Sequence, residues 1–107
     1  MFKSQIVKLV GVSFKDAQPN IRKFGCAAVG TYALIREPDN PHDASAIQVS
    51  LGGVWFMGYL PLWLAKVLSP MMDEGRTFLA EFVRRNEAPG RELVGLTVRI
   101  VETTRAH

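Results

Sequence analysis

The chain has 107 residues, 48 % of them hydrophobic and 21 % charged, with 13 lysines and arginines against 10 aspartates and glutamates and a formal net charge of +3. That is the size of one domain with a single core, and its balance of apolar and charged residues excludes an intrinsically disordered chain. No run reaches the roughly 18 to 20 apolar residues of a bilayer span, the opening Met1-Phe2-Lys3-Ser4 does not read as a secretory leader, and Cys26 alone can form neither an internal disulfide nor a CxxC zinc site, so a cytoplasmic, membrane-free protein held by packing is expected.

Gln5 to Val10 is rich in β-branched residues and stops at Gly11, which predicts a first strand. From Lys15 to Gly30 the chain is punctuated by Asp16, Pro19, Asn20, Gly25 and Gly30, which predicts a loop with one helical turn near Ile21 to Phe24. Thr31 to Arg36 returns to β character. Ala46 to Leu51 alternates, and Gly52-Gly53 separates it from Val54-Trp55-Phe56-Met57. A two-residue Gly-Gly turn would pair Leu51 with Val54, Val49 with Phe56 and Ile47 with Gly58 on the core face. Gln48, Ser50, Trp55, Met57 and Tyr59 would then share the other face.

Pro61 suits the first turn of a helix, and Leu64, Val67 and Leu68 recur at helical spacing until Pro70 ends it. Thr77 to Arg84 and Leu93 to Glu102 read as two more strands, joined by the loop Asn86-Glu87-Ala88-Pro89-Gly90. Six short strands without repeated βα alternation predict a mainly β fold, an antiparallel barrel-like sheet with one or two short helices, as one domain over 1–107. The last third carries Arg76, Arg84, Arg85, Arg91, Arg99 and Arg105 against Glu81, Glu87, Glu92 and Glu102, the pattern of a solvated mixed-charge surface.

Residues 36 to 43, REPDNPHD, hold more chemistry than a connection needs. Pro38 and Pro41 bias the residues before them away from helix, and Asn40-Pro41 invites a turn, so the backbone is expected to be stiff. A stiff loop can present Asn40, His42 and Asp43 as a preformed polar set, which loses less entropy on binding than a flexible one. The same residues can equally serve the loop itself, with Asp39 and Asn40 capping their own turn and Asp43 pairing with Arg36 or a backbone N–H.

REPDNPHDASAIQV, with GYLP at 58 to 61 and LVGVSF at 9 to 14, resembles the HIRAN domain over nearly the whole chain. The specific part is R-[ED]-P-x-N-P-x-D-x-x-A-I-x-V followed by G-x-L. Members occur at the start of fork-remodelling helicase-like ATPases and as free-standing bacterial proteins, and this chain looks like the second kind. It has no GxxxxGK[ST] phosphate loop, so a helicase or ATPase would be a separate partner. The resemblance implies a small six-stranded barrel related to OB-folds that binds the free 3′ end of single-stranded DNA, without a cofactor.

By resemblance, Asn40 and Asp43 shape the pocket for the terminal nucleotide, and His42 stands where eukaryotic members have a tyrosine. Phe14 matches an aromatic that stacks on a base, and Tyr59 a DNA-facing position. Ser13 and Leu62 replace an arginine and a lysine of those relatives, which weakens phosphate contact. A carboxylate at Asp43 accepts a hydrogen bond from a sugar hydroxyl and repels a terminal phosphate. Phe14, Tyr59 and Trp55 offer π faces to bases, while Arg36, Arg84 and Arg85 are candidates to follow the backbone. Trp55 could instead pack beneath a helix, Arg36 could form a salt bridge, and Trp63 could be core or interface.

A metal-dependent nuclease would draw on Glu37, Asp39, His42 and Asp43, but their spacing fits neither the calcium loop nor an HExxH or CxxC zinc pattern. His107, at the end of the chain, offers no base to a nucleophile. The other alternative is a protein-interaction module in which the aromatic face receives a peptide or a second copy of the chain.

Overall fold

A computed structural model describes residues 2–103, so Arg105 and His107 lie outside the described residues. In chain order the elements are β1 (Gln5–Lys8), α1 (Ala17–Phe24), β2 (Thr31–Arg36), β3 (Ile47–Leu51), β4 (Trp55–Tyr59), α2 (Leu62–Asp73), β5 (Phe78–Asn86) and β6 (Gly95–Glu102). The six strands form one sheet in the order β1-β6-β5-β2-β3-β4, with antiparallel pairing throughout. The sheet curls into a half-barrel. Its two edges meet just beyond β1, where Val10 and Tyr59 exchange backbone hydrogen bonds of 2.9 and 2.8 Å. The expected six antiparallel strands are present, and among the described residues the edges are joined by this one bridge rather than by a continuous ladder.

Inside the curl lie Val7, Tyr32, Ile47, Val49, Leu96, Val98 and Ile100, with Ile21 of α1 and Leu64 and Leu68 of α2 closing the core. Burial raises the Tyr32 phenol to about 12, so it stays a neutral donor and bonds the Phe24 carbonyl at 2.7 Å. Two side-chain amides fasten α1. Gln18 donates to the carbonyls of Val12 and Val94 and accepts from the Val94 N–H, and buried Asn20 donates to the Phe56 carbonyl.

Three local expectations are corrected. The span read as a loop with one helical turn holds the eight-residue α1, because Pro19 falls in the first turn, where an N–H has no intrahelical partner to lose. Pro70 does not end α2, which runs on to Asp73. Its stop comes at Gly75, whose φ of +97° permits the left-handed turn in which the Gly75 and Arg76 N–H groups bond the Met72 and Met71 carbonyls, a Schellman closure.

The β3–β4 hairpin is the third correction. Leu51 pairs with Trp55 across Gly52, Gly53 and Val54, Ser50 pairs with Phe56, and a bulge at Met57 brings Val49 opposite Gly58 and Gln48 opposite Tyr59. One inserted residue reverses the side-chain alternation beyond it. Phe56 and Met57 are therefore both buried although adjacent, and Ser50 is buried with them. Met57 belongs to the core and not to the polar face.

Candidate nucleic-acid interface

The motif-bearing loop, residues 37–46, is the β2–β3 connection. Its neck is closed by the Glu37 N–H bonding the Ala46 carbonyl at 2.9 Å. Arg36, the last residue of β2, ties the neck again by donating to the Ala44 and Ala46 carbonyls and pairing with Asp73 at 3.0 Å. Within the loop Asn40 is the staple. Its Oδ1 accepts from the His42 and Asp43 N–H groups at 2.9 and 3.2 Å, and its Nδ2 donates to Glu37 at 2.9 Å. Asp43 uses one carboxylate oxygen, Oδ1, to take the Ser45 N–H at 2.9 Å.

Glu37 is the hub that joins this loop to the sheet. Beyond Asn40 it accepts from Gln48 Nε2 at 2.6 Å and from the Tyr59 hydroxyl at 3.0 and 3.2 Å. Burial alone would raise its carboxyl, but the hydrogen bonds from Asn40, Gln48 and Tyr59, helped by the Lys15 charge, outweigh that and hold it below its ordinary value. Burial, and then the bond to Glu37 and its charge, push the Tyr59 phenol the other way. The result is an ionised acceptor surrounded by donors, with the phenol kept protonated to serve as one of them.

Against this scaffold opens a cleft of about 670 Å³ lined by Phe14, Asn40, His42, Asp43, Tyr59 and Leu62, among others. Phe14, 58 % exposed, stands on the segment between β1 and α1. Across from the loop, Gly11 permits the close approach of Tyr59: its φ is +65°, and a Cβ there would come within 3.0 Å of Tyr59 Cδ2. Tyr59 is also braced edge-on by Phe56, with ring centroids 5.3 Å apart. A second cleft of about 520 Å³ adjoins the first and shares Lys15, Asn40 and Tyr59 with it; Arg36, Glu37 and Asp39 line its far side.

The family model of the HIRAN domain matches residues 2–102. The chain belongs to the HIRAN domain family. The crystal structure of the HIRAN domain of human HLTF resembles it with a TM-score of 0.64 at 19 % identity, over 92 % of this chain and 74 % of that one. A protein from Lactobacillus plantarum resembles it with a TM-score of 0.68 at 18 % identity, over 94 % of this chain and 100 % of that one. A Fanconi-associated nuclease 1 homolog of Arabidopsis thaliana is 36 % identical over 66 residues, which is 62 % of this chain but 7 % of that protein. The match thus spans a small fraction of that relative's length.

Of the residues that the sequence singles out in this HIRAN domain, Phe14, Asn40, His42, Asp43 and Tyr59 come together in the larger cleft. Arg36 borders the second cleft with its guanidinium already engaged by Asp73 and two carbonyls. Trp55, Arg84 and Arg85 lie outside the linings of both clefts. Trp55 is 45 % exposed and rests on Phe24, with centroids 5.4 Å apart. Arg84 bonds Asn86, and Arg85 pairs with Glu87 at 3.2 Å and donates to the Arg22 carbonyl.

The hub role of Glu37 and the presence of Lys15 in both clefts are not read from the sequence. The signal for Glu37 is the direct pairing of Gln48 with Tyr59; the sequence puts both on one face, but the pairing follows only from the register set by the bulge at Met57. Glu37, Asp39, His42 and Asp43 do not converge, and among the described residues no group of three or more His, Cys, Asp or Glu is placed to hold a metal ion. No helix among the described residues is long and apolar enough to cross a membrane.

Proposed function

We propose that this HIRAN domain is a non-catalytic module that captures the free 3′-hydroxyl end of single-stranded DNA in the larger cleft, in repair or replication-fork processing. In this reading it works alongside a helicase or ATPase supplied by another protein or another domain. The observation that carries the proposal is the juxtaposition of Asp43 with Phe14 and Tyr59 in one cleft. The loop's own bonds fix Asp43 and engage Oδ1, so Oδ2 is the oxygen that a terminal sugar hydroxyl would meet. Phe14 supplies the exposed ring for the base. A volume of about 670 Å³ falls in the usual range of roughly 300 to 1,000 Å³ for small-ligand sites and accommodates one nucleotide.

The test is an anisotropy titration with labelled single strands ending in a 3′-hydroxyl or a 3′-phosphate, and with a blunt duplex. The hydroxyl end binds best, and its affinity falls as salt rises. Asp43→Ala removes the preference between ends. Equal affinity of the wild-type chain for hydroxyl and phosphate ends rejects end capture.

One observation favours a second reading, a protein-interaction module. Leu62, Trp63 and Val67 are exposed on α2, at 54, 56 and 45 %, an apolar stripe beside the cleft of the kind that protein partners cover. A domain that ignores every oligonucleotide in the same titration supports that reading over the first.

A further inference from the structure

The cleft has aromatic walls and an acidic end, and a nucleic-acid strand also needs its phosphates met. Among the residues lining the larger cleft, Lys15 is the only lysine or arginine, and it lines the second cleft as well. Arg36, the other cation bordering the second cleft, is held by Asp73 and two loop carbonyls. Lys15 forms no ion pair of 4 Å or less among the described residues. Its ammonium lies 5.0 Å from the centroid of the Phe56 ring, a contact that steadies a cation without neutralising it. Its backbone is in the left-handed region, with φ +48°, the only non-glycine residue so placed among those described. That conformation is unfavourable for a lysine and sets its side chain at the junction of the two clefts, one residue after Phe14.

We infer that Lys15 is the phosphate-contacting residue of the site, meeting the backbone phosphate where the strand passes from the larger cleft into the second. The inference rests on the end-capture reading for which strand is bound and where its terminus lies. It explains how the site engages a polyanion although positions 13 and 62 are serine and leucine. Glu37, whose carboxylate lies near enough to Lys15 to feel its charge, already has three side-chain donors of its own, so the ammonium remains available to a phosphate.

The experiment is the salt dependence of binding to a 3′-hydroxyl single strand by the full chain and three variants. Lys15→Asn removes the charge with a residue that tolerates the left-handed region. Lys15→Arg keeps the charge, and Lys66→Gln removes an exposed charge on α2 outside both clefts. One phosphate contact contributes a slope of about 0.7 in log affinity against log salt for single strands, which corresponds to roughly eightfold in affinity at 50 mM salt. K15N therefore lowers the slope by about 0.7 and the affinity about eightfold while keeping the hydroxyl-over-phosphate preference. K15R and K66Q retain the wild-type slope. A K15N slope equal to wild type overturns the inference. Wild-type binding without an end preference removes the end-capture reading while the slope still decides the Lys15 contact, and a chain that binds no strand overturns both.

Discussion

Removing the Glu37 carboxylate should loosen the recognition loop and the cleft wall together. Glu37→Ala leaves three donors without their acceptor: Asn40 Nδ2 at 2.9 Å, Gln48 Nε2 at 2.6 Å and the Tyr59 hydroxyl at 3.0 Å. A hydrogen bond to a charged group contributes about 1.5 to 3 kcal/mol when buried. These are partly solvated and the freed donors can turn to water, so about 1 kcal/mol each, or about 2 to 3 kcal/mol in total, is the appropriate scale. For a domain of this size that lowers Tm by about 9 to 13 °C.

Glu37→Gln should lose only about half as much, since one oxygen still accepts and the Gln48 amide can rotate to present its oxygen to the new donor. The effect has a definite pH dependence. Because the folded carboxyl lies below its ordinary value of 4.5, its contribution is complete above that value and is lost as pH falls through the folded one. The difference between wild type and E37A is thus full at pH 7 and shrinks on acidification below the ordinary value of 4.5 and through the lower folded one. Urea denaturation across this range measures it. A loss under about 0.5 kcal/mol at pH 7, or one that does not diminish in acid, refutes the hub assignment.

Phe14→Ala should weaken binding of hydroxyl and phosphate ends alike by about 5- to 150-fold, the value of one base stack of roughly 1 to 3 kcal/mol, as read by anisotropy with thermal stability nearly unchanged. Gly58→Ala should lower Tm sharply, by the equivalent of about 3 kcal/mol or more. The φ at Gly58 is +149°, and a Cβ there would stand 3.0 Å from the Val10 carbonyl oxygen and 3.2 Å from Leu9 Cβ, at the bridge that joins the sheet edges. Arg36→Ala should reduce stability by more than the exposed Asp73 pair alone would explain, because the Ala44 and Ala46 carbonyls lose a donor as well. Its salt slope in strand binding should match wild type.

Much of this architecture is legible in the sequence because strand periodicity and glycine punctuation are local signals. The strand Thr31–Arg36 and the loop after it fall where alternation and turn residues place them, while β5, read as Thr77 to Arg84, runs on to Asn86, a residue assigned to the next loop. What escapes is set by tertiary context. The helix over Ala17–Phe24 is masked by Pro19, which deters helix in the interior but is harmless in a first turn. The bulge at Met57 leaves no local trace except the adjacent Gly58, which has a positive φ. Since that bulge decides which residues of β4 face Gln48, the Glu37 hub could not be assembled from spacing alone.

The polar wealth of REPDNPHD divides into two tasks once the partners are known. Arg36, Glu37 and Asn40 spend their hydrogen bonds on the neck, the sheet and the loop's own backbone, and Pro38 and Pro41 remove backbone freedom. That leaves the His42 ring and Asp43 Oδ2 without a hydrogen bond among the described residues, on two residues that line the cleft beside Asn40. On the end-capture reading, a loop built this way holds its ligand-facing groups still without asking the ligand to order them. On that reading the same division separates two kinds of mutational effect: substitutions at Glu37 and Asn40 should reach binding through loop order and therefore through stability, whereas those at Asp43 and Phe14 should alter recognition directly. End preference is then the readout that distinguishes them, because a disordered loop lowers affinity for every terminus while the loss of one carboxylate changes which terminus is favoured.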